Sequence, residues 1–328
     1  MISSDNYSVF GIHNTAERYS WAAFHIFVLL SSLAGDSLIL YATFQRSAFK
    51  LNKFIVIIIQ YIAVTDLILA ITTALPGAVS LIANTWVLGD VACYARIYLT
   101  YFIYPSGMFL IAVLTTSKWL LLKYPTRTVN WTKSMAHRVC CLAFIPSFIT
   151  TIIIPLVIDM KDVSFTYIVY SCYYGFTAHT WKILVPITSI VTILTPNIVI
   201  VATTIPTLKY LYSARRSARR AGGSVPWQGT VTVALTAVVY CISTLPLFIY
   251  FICSNYITES SGPFKVYYRR ISYFVSLINI MSNFYIYAMT IMSFRRFLCS
   301  KILCKLPVFS KISMTFSAGK IIVLQYIQ

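Results

Sequence analysis

The sequence contains few charged residues, and the acidic residues are the scarcest of them. Of its 328 residues, 10% are charged, 59% are hydrophobic and 8 are Asp or Glu. A soluble domain carries about 25% charged residues, so this chain cannot cover a water-exposed surface with polar side chains. The mean hydropathy of +0.78 points the same way. Composition alone therefore predicts an integral membrane protein.

The sequence also lacks the short motifs that mark common enzyme chemistry. It has no P-loop, no dinucleotide-binding fingerprint and no cluster with metal-ligand spacing, and its 4 histidines are scattered. Because these enzyme motifs are missing, we predict no enzymatic activity. The sequence also shows no internal repeat of the kind found in transporters. The net charge of +18 does not indicate binding to nucleic acid, because basic loops follow from membrane topology alone.

Seven apolar segments are each long enough to cross a bilayer as a helix. They predict an all-α membrane protein built as a seven-transmembrane helix bundle. The predicted spans are 21–45, 53–81, 94–120, 138–158, 182–212, 230–254 and 270–292.

The distribution of charge predicts which side of the membrane each loop faces. Alternate loops and the C-terminal tail contain Lys and Arg but no Asp or Glu, whereas the other loops contain both signs, with Arg96 among their cations. The positive-inside rule places the basic side in the cytoplasm, so the N-terminus lies outside and the C-terminus inside.

Residues 1–20 lack the layout of a signal peptide. Asn6-Tyr7-Ser8 is a glycosylation acceptor pattern if this tail is outside, and chance occurrence is the alternative.

Two acidic residues and several prolines fall inside the predicted spans. Asp36 and Asp66 are ionisable groups in apolar surroundings, where such groups usually face the bundle interior and have a function. A polar contact between helices is the alternative. Proline removes a backbone hydrogen bond and bends or loosens a helix. We expect such bends at Pro76, Pro105, Pro146, Pro155, Pro186, Pro196, Pro206 and Pro246.

Cysteines are predicted on both sides of the membrane. Cys93 and Cys172 lie on the predicted outer side, where an oxidising environment favours a disulfide between them. Cys172 belongs to the run 165–174, whose aromatic and β-branched residues predict a hairpin. On the inner side, Cys299 and Cys304 follow the last span and are candidates for S-palmitoylation. Free thiols are the alternative, since juxtamembrane cysteines are common without lipid.

Several short motifs resemble, in order and spacing, those of the rhodopsin-like (class A) G-protein-coupled receptors. Trp86-x-x-Gly89-x-x-x-Cys93 resembles the first extracellular loop and the outer end of helix three. Ser117-Lys118-Trp119 stands where the family has Asp-Arg-Tyr, and Pro125 matches the proline of the second intracellular loop. The other matches are Asp66 of helix two, Pro246 of helix six, Asn283-Phe-Tyr-Ile-Tyr287 of helix seven and Ser293-Phe-Arg-Arg-Phe297 of an amphipathic eighth helix. The resemblance implies an extracellular tail at 1–20, the bundle at 21–292, the eighth helix at 293–304 and a cytoplasmic tail at 305–328.

The chain departs from the family pattern at positions that bear on activation. Ser117 and Lys118 replace the usual Asp and Arg, and Lys118 keeps the charge but lacks the planar fork of a guanidinium. The predicted cytoplasmic side holds no acid, so the family's inner ionic lock cannot form. Asp36 replaces an Asn of helix one, Thr244 the Trp of helix six and Phe284 the Pro of helix seven. We expect these changes to alter activation and coupling rather than the fold.

The resemblance implies a plasma-membrane receptor with an extracellular ligand in an outer aromatic cavity. Thr100 stands where amine receptors have an acid, and no Lys lies between Ile271 and Met292, so neither a monoamine nor a retinal Schiff base is expected. The outer hairpin favours a peptide ligand, and a chemosensory small molecule is the alternative. Simple packing of the aromatic residues also stays open. Arg269 and Arg270 at the mouth would meet a carboxylate or an acidic peptide, and a solvated basic rim is the alternative. The residues expected at the cavity or its mouth are Thr100, Tyr101, Tyr104, Leu247, Phe248, Phe251, Arg269, Arg270, Tyr273 and Leu277.

The resemblance also implies a polar cluster in mid-membrane and a docking face for a G protein. Asp66, Asn279 and Asn283 match family positions that hold a sodium ion, whose preferred ligands are oxygen atoms. Asp36 adds a second carboxyl group, and two nearby acids share a proton rather than both ionise, so we expect a weakened or altered cation site. No other cofactor is expected, and arrestin and membrane lipid are further expected partners. The expected activation and G-protein face comprises Ser117, Lys118, Trp119, Pro246 and Tyr287.

Two other classes of protein stay open. A non-signalling decoy receptor would keep the fold, and the altered Ser117-Lys118-Trp119 triplet favours that alternative. A seven-helix transporter or channel would need a polar stripe through several spans, for which the chain offers Asp36, Asp66 and the asparagines of the seventh span.

Overall fold

The chain folds into seven long helices followed by a short eighth one. The computed structural model describes residues 15–45, 51–157, 163–166, 168–174, 185–220, 228–253 and 262–301. Within these residues, seven helices are long and apolar enough to cross a membrane, which confirms the predicted bundle. The helices are α1 (Thr15–Phe44), α2 (Lys53–Ala83), α3 (Gly89–Lys123), α4 (Lys133–Ala143 and Ile145–Val157), α5 (from Val185 through Thr195–Arg220), α6 (Gln228–Cys253), α7 (Gly262–Thr290) and α8 (Met292–Lys301).

The first helix begins earlier than the apolar pattern indicates. α1 starts at Thr15, inside the stretch 1–20 that the sequence assigned to a tail. Glu17 lies in its first turn, where a carboxylate interacts favourably with the helix dipole. Hydropathy alone missed these turns because their side chains are polar.

A wider helical turn precedes two of the prolines. α2 contains a π-helical turn at Ala70–Ala74, just before Pro76, and α5 contains another at Ile190–Leu194, just before Pro196. A proline ring has no N–H and clashes with the carbonyl group four residues earlier. A π turn relieves the clash by adding a residue to the turn. The loosening expected at these two prolines is confirmed.

An antiparallel hairpin packs against one end of the bundle. Its strands, β1 (Val163–Thr166) and β2 (Ser171–Tyr174), pair directly with each other. A disulfide joins Cys172 of β2 to Cys93 near the start of α3, with the two Cα atoms 5.6 Å apart. Both the hairpin and the disulfide predicted from the sequence are confirmed. We call this end the hairpin end, and the opposite end, where α3 stops at Lys123, the basic end.

α3 lies at the centre of the bundle. It contacts α2, α4, α5 and α6, and its buried side chains Met108, Leu110 and Ile111 join Ile58 and Ile62 of α2 in the main hydrophobic cluster. Lipid tails are as apolar as these side chains, so close packing rather than transfer from water holds membrane helices together. Because α3 packs against four other helices, its packing contributes most to holding the bundle together.

The short helix α8 is amphipathic, as predicted. Phe294, Phe297 and Leu298 are buried against the bundle, whereas Arg295 and Arg296 are exposed. Such a helix suits a position at the membrane surface, with its apolar face inward. The end of the predicted helix at 304 and the predicted tail at 305–328 lie outside the described residues.

Glycines allow α1 to approach its two neighbours closely. A Cβ atom added to Gly35 of α1 would lie 2.6 Å from Cβ of Phe284 in α7. One added to Gly77 of α2 would lie 2.5 Å from Cδ2 of His25 in α1. Small residues permit such contacts between membrane helices, which gain dispersion energy from them. The packing of α1 on both sides therefore depends on these glycines.

We expect Gly35→Ala to destabilise the bundle, because the added methyl group overlaps the side chain of Phe284. Overpacking of this kind lowers the free energy of unfolding by about 1–3 kcal/mol. Thermal unfolding of the purified full-length protein measures the loss. Ala34→Val is the control, because Ala34 is exposed on the neighbouring face of α1. Phe284→Leu should restore part of the stability of Gly35→Ala, and an unfolding temperature unchanged by Gly35→Ala would contradict the close contact.

Candidate functional site

A cavity lies at the hairpin end, between the helices. Its volume is about 1090 Å³, including space open to solvent. Residues from each of the helices α2 to α7 line it, together with Cys172 of the hairpin. Apolar and aromatic side chains with a few hydroxyl groups dominate the lining, as in many ligand pockets. The predicted cavity residues that line it are Thr100, Tyr101, Tyr104, Leu247, Phe251, Tyr273 and Leu277.

Three residues predicted for the cavity or its mouth, Phe248, Arg269 and Arg270, do not line it. Phe248 follows Leu247 in α6, and successive helical residues point about 100° apart, so its ring packs against the hydrophobic core instead. The guanidinium of Arg269 lies over the ring of Tyr250, 5.8 Å from the ring centroid, in a cation–π arrangement. The family position alone did not anticipate these contacts.

Arg96 is a charged residue of the cavity lining that the sequence reasoning treated only as a loop cation. It belongs to α3, and its side chain is 5% exposed. Nη1 donates a hydrogen bond to the carbonyl oxygen of Cys172 at 3.2 Å, and Nη2 donates to the hydroxyl of Tyr273 at 3.0 Å. Arg96 lies three residues after Cys93, on the same face of α3. That spacing was the signal in the sequence, because it brings Arg96 beside the disulfide.

Arg270, predicted to stand at the cavity mouth, is a buried structural link. Its side chain is 3% exposed and forms an ion pair with Glu17 of α1 at 3.2 Å. Its Nε donates to the carbonyl oxygen of Ile168, in the hairpin turn, at 3.0 Å. Glu17 also accepts a hydrogen bond from Nε1 of Trp21 at 3.2 Å. These contacts join α1, α7 and the hairpin, so the charge of Arg270 is satisfied within the protein.

The polar residues predicted in mid-membrane lie buried in the bundle. Nδ2 of Asn283 donates to Oδ2 of Asp66 at 2.7 Å, which links α7 to α2. Ser32 donates to Oδ2 of Asp36 within α1, and the two carboxyl groups are close enough to interact electrostatically. Asn279 is buried one turn before Asn283. The structure thus brings Asp66 and Asn283 into contact and places Asp36 nearby.

This cluster has oxygen atoms to offer a cation. Among the described residues, Oδ1 of Asn283 and Oδ1 of Asp36 are buried without a hydrogen-bond partner. Buried polar atoms normally have a hydrogen-bond partner, so these two oxygens are free to bind something else. Hard cations prefer carboxylate and amide oxygens as ligands. The oxygen atoms of Asp36, Asp66 and Asn283 therefore suit a hard cation such as sodium.

A second polar link joins α5 and α6, and the sequence reasoning did not predict it. Thr244, which replaces the usual Trp of helix six, is buried, and its hydroxyl accepts a hydrogen bond from Nδ2 of Asn197 at 3.2 Å. The same hydroxyl donates to the carbonyl oxygen of Tyr240 at 3.0 Å. Asn197 follows Pro196, and Pro246 follows Thr244 by two residues. The link therefore connects the proline-containing parts of both helices.

A smaller cavity of about 390 Å³ lies at the basic end. Lys118 of α3, Gly229 of α6 and Tyr287 of α7 contribute to its lining. A Cβ atom added to Gly229 would lie 3.6 Å from Nζ of Lys118, so α3 and α6 meet at this point. In the described part of the chain, Lys118 forms no ion pair with an acid, in line with the absence of acids from the loops on that side.

The aromatic rings of Trp119 and Tyr124, near Lys118 in the chain, form cation–π contacts with other basic side chains. Nζ of Lys123 lies 4.8 Å from the ring centroid of Trp119 and 5.2 Å from that of Tyr124. The guanidinium of Arg127 lies 5.5 Å from the Tyr124 ring. Each distance is within the range of a cation–π interaction. Ser117, by contrast, is buried within the bundle.

Three predicted modification sites are only partly visible in the structure. Cys299 is an exposed free thiol on α8. Asn6 and Cys304 lie outside the described residues. Glycosylation and palmitoylation therefore stay predictions.

Comparisons with known proteins bear on the family of this chain. No curated protein matches it. The family model described as 7 transmembrane receptor (rhodopsin family) matches residues 35–287. That range runs from α1 to Tyr287 in α7 and includes the cavities at both ends. The protein is a multi-pass membrane protein, and it belongs to the rhodopsin family of seven-transmembrane receptors.

Proposed function

We propose that the protein is a G-protein-coupled receptor of the plasma membrane, with the hairpin end outside the cell and the basic end in the cytoplasm. Membership of the rhodopsin family supports a signalling receptor. The orientation rests on the positive-inside rule, because Lys118, Lys123 and Arg127 lie at the basic end. The Cys93–Cys172 disulfide also suits an oxidising exterior.

The cavity at the hairpin end is the observation that carries this proposal. Its lining includes Thr100 of α3, Leu247 of α6 and Leu277 of α7, so one bound molecule contacts several helices. A ligand shifts the balance between two arrangements only if it binds one of them better. A ligand that prefers a rearranged bundle therefore raises the affinity of an inner partner that prefers the same arrangement.

α6 is the helix best placed to move in this mechanism. Pro246 removes one of its backbone hydrogen bonds, and Asn197 of α5 bonds to it through Thr244. At the basic end it meets Lys118 at Gly229, which has no side chain to interlock with α3. Outward movement of α6 would open the space beside Lys118 to a segment of the G protein.

We propose a peptide as the ligand. The hairpin is tied to the cavity through Cys172, which lines it, and such an arrangement resembles that of peptide receptors. A small molecule is the second candidate. The apolar lining of the cavity favours it.

We also propose that Asp66, Asp36, Asn279 and Asn283 hold a sodium ion. When bound, the ion would neutralise carboxylate charge in the middle of the bundle. The buried oxygen atoms of Asp36 and Asn283 that lack hydrogen-bond partners support this site. Because Asn283 belongs to α7, the ion would bias how α7 packs against α2.

We expect Thr100→Trp to lower the response to the ligand at least about tenfold, because the larger side chain fills part of the cavity. The measurement is recruitment of a panel of G-protein α-subunits to the surface-expressed protein, with and without tissue peptide extracts. Leu99→Trp is the matched control, since Leu99 faces outward from α3 and is 39% exposed. Equal responses of Thr100→Trp and wild type would place the ligand site elsewhere. Absence of recruitment with every extract would favour a decoy receptor or a transporter.

We expect Lys118→Met to abolish ligand-dependent recruitment of the G protein, because the cation of the inner cavity is lost. Lys118→Arg should retain recruitment, since the charge remains. The same recruitment assay, normalised to surface expression, measures both variants. If wild type fails to recruit while Ser117→Asp combined with Lys118→Arg succeeds, the natural protein is a decoy that has lost coupling.

We expect sodium to weaken agonist binding in wild type and to have no such effect in Asp66→Asn, which removes a carboxylate ligand of the ion. Binding of the active extract fraction is measured while NaCl is replaced by N-methylglucamine chloride at constant ionic strength. Asp36→Asn tests the second carboxylate and should reduce the sodium effect in part. Affinity that is equally insensitive to sodium in wild type and in Asp66→Asn would show that no such site operates.

A further inference from the structure

Two guanidinium groups are buried at the hairpin end, and they differ in whether a described acidic residue pairs with them. Arg270 is paired with Glu17 at 3.2 Å. Arg96, which is equally buried, forms no ion pair with any described acidic residue. An acid therefore neutralises one buried cation, while none of the described acids neutralises the other. Buried charges are usually paired, so the state of Arg96 calls for an explanation.

The guanidinium of Arg96, which no described acid pairs, faces the cavity. Arg96 is a lining residue, and so are both of its hydrogen-bond partners, Cys172 and Tyr273. These two bonds use one N–H on each terminal nitrogen, whereas a guanidinium has five N–H groups. Its Nε is buried and has no hydrogen-bond partner among the described residues. The side chain is held in place and still has donors to offer.

The rest of the cavity sets the kind of molecule that fits. Among the described residues that line it, Arg96 alone is charged. Away from Arg96, the walls include the apolar side chains of Ile193, Leu247, Phe251 and Ile280. A monoanion would neutralise the single guanidinium, whereas a doubly charged group such as a phosphate would leave excess negative charge in an apolar space. The planar fork of a guanidinium also matches the two oxygens of a carboxylate.

We propose that the cavity recognises a ligand with one carboxylate on an apolar body, with the carboxylate bound by Arg96. The inference rests on the proposed function in one respect, namely that the cavity is the ligand site. The carboxylate comes either from the free C-terminus of a peptide or from a small organic acid. Arg96 is thus the residue that makes the receptor specific for acids over neutral analogues of the same shape.

Matched pairs of probes test the proposal on the wild-type protein. The peptide pair is N-acetyl-Phe-Leu-Phe with a free C-terminal carboxylate and the same peptide as its C-terminal amide. The small-molecule pair is 4-phenylbutyrate and 4-phenylbutyramide. The measurement is the shift in the unfolding temperature of the purified full-length receptor as each probe is titrated. This readout needs no G protein, so a failure of coupling and a failure of carboxylate recognition are distinguishable.

We expect at least one acid to stabilise the wild-type receptor with an affinity about 10- to 100-fold above that of its amide, as a charge-assisted hydrogen bond provides. Arg96→Gln should remove the difference, and Arg96→Lys should retain part of it. Arg138→Gln is the control, because it also removes one arginine charge, from an exposed position near the start of α4. The peptide and small-molecule arms identify the source of the carboxylate.

Several results would overturn the proposal. These are equal stabilisation by acid and amide in both pairs, no stabilisation by either acid, and a preference for acid that persists in Arg96→Gln. If Arg96→Gln does not fold, the wild-type comparison of acid with amide and the Arg96→Lys variant still decide the matter. Carboxylate binding without any G-protein recruitment would support the inference for the cavity and count against the proposed signalling function.

Discussion

A bilayer offers no water to a polar group, and this constraint governs both the backbone and the buried side chains of the protein. The backbone satisfies it with helices, and it accommodates Pro76 and Pro196 with π turns rather than with exposed breaks. Polar side chains satisfy it by pairing, as in the Asp66–Asn283 contact. A group that stays unsatisfied under this constraint is informative, because burying it has a large energetic cost.

The same constraint explains what the sequence could predict. Apolar segments must be long enough to cross the membrane, so hydropathy located all seven spans, and the charge pattern distinguished two sets of loops. Family motifs then placed most of the cavity residues. The sequence did not reveal that Glu17 lies in the first turn of α1 or that Arg96 lines the cavity. Both are charged residues of the kind that sequence patterns assign to loops, and only their tertiary partners, Arg270 and Cys172, show otherwise.

Other features depend on rotation about a helix axis, which a motif does not specify. Leu247 lines the cavity while the adjacent Phe248 packs into the core, and no property of either residue type distinguishes the two. The Asn197–Thr244 hydrogen bond likewise needs two helices in a particular register. Its sequence signal was weak, since it consisted of an Asn beside a proline in one span and a Thr in place of an expected Trp in another.

α7 is the helix that connects the three sites. Its Tyr273 bonds to Arg96 in the cavity, its Asn283 bonds to Asp66 in mid-membrane, and its Tyr287 lines the cavity beside Lys118. α3 is constrained by the disulfide at one end and by neighbours on several sides. A ligand that binds Arg96 would alter the hydrogen bond that joins this constrained helix to Tyr273 of α7. Because Asn283 and Tyr287 belong to the same helix, a shift of α7 would also alter its contacts in the polar cluster and at the basic end.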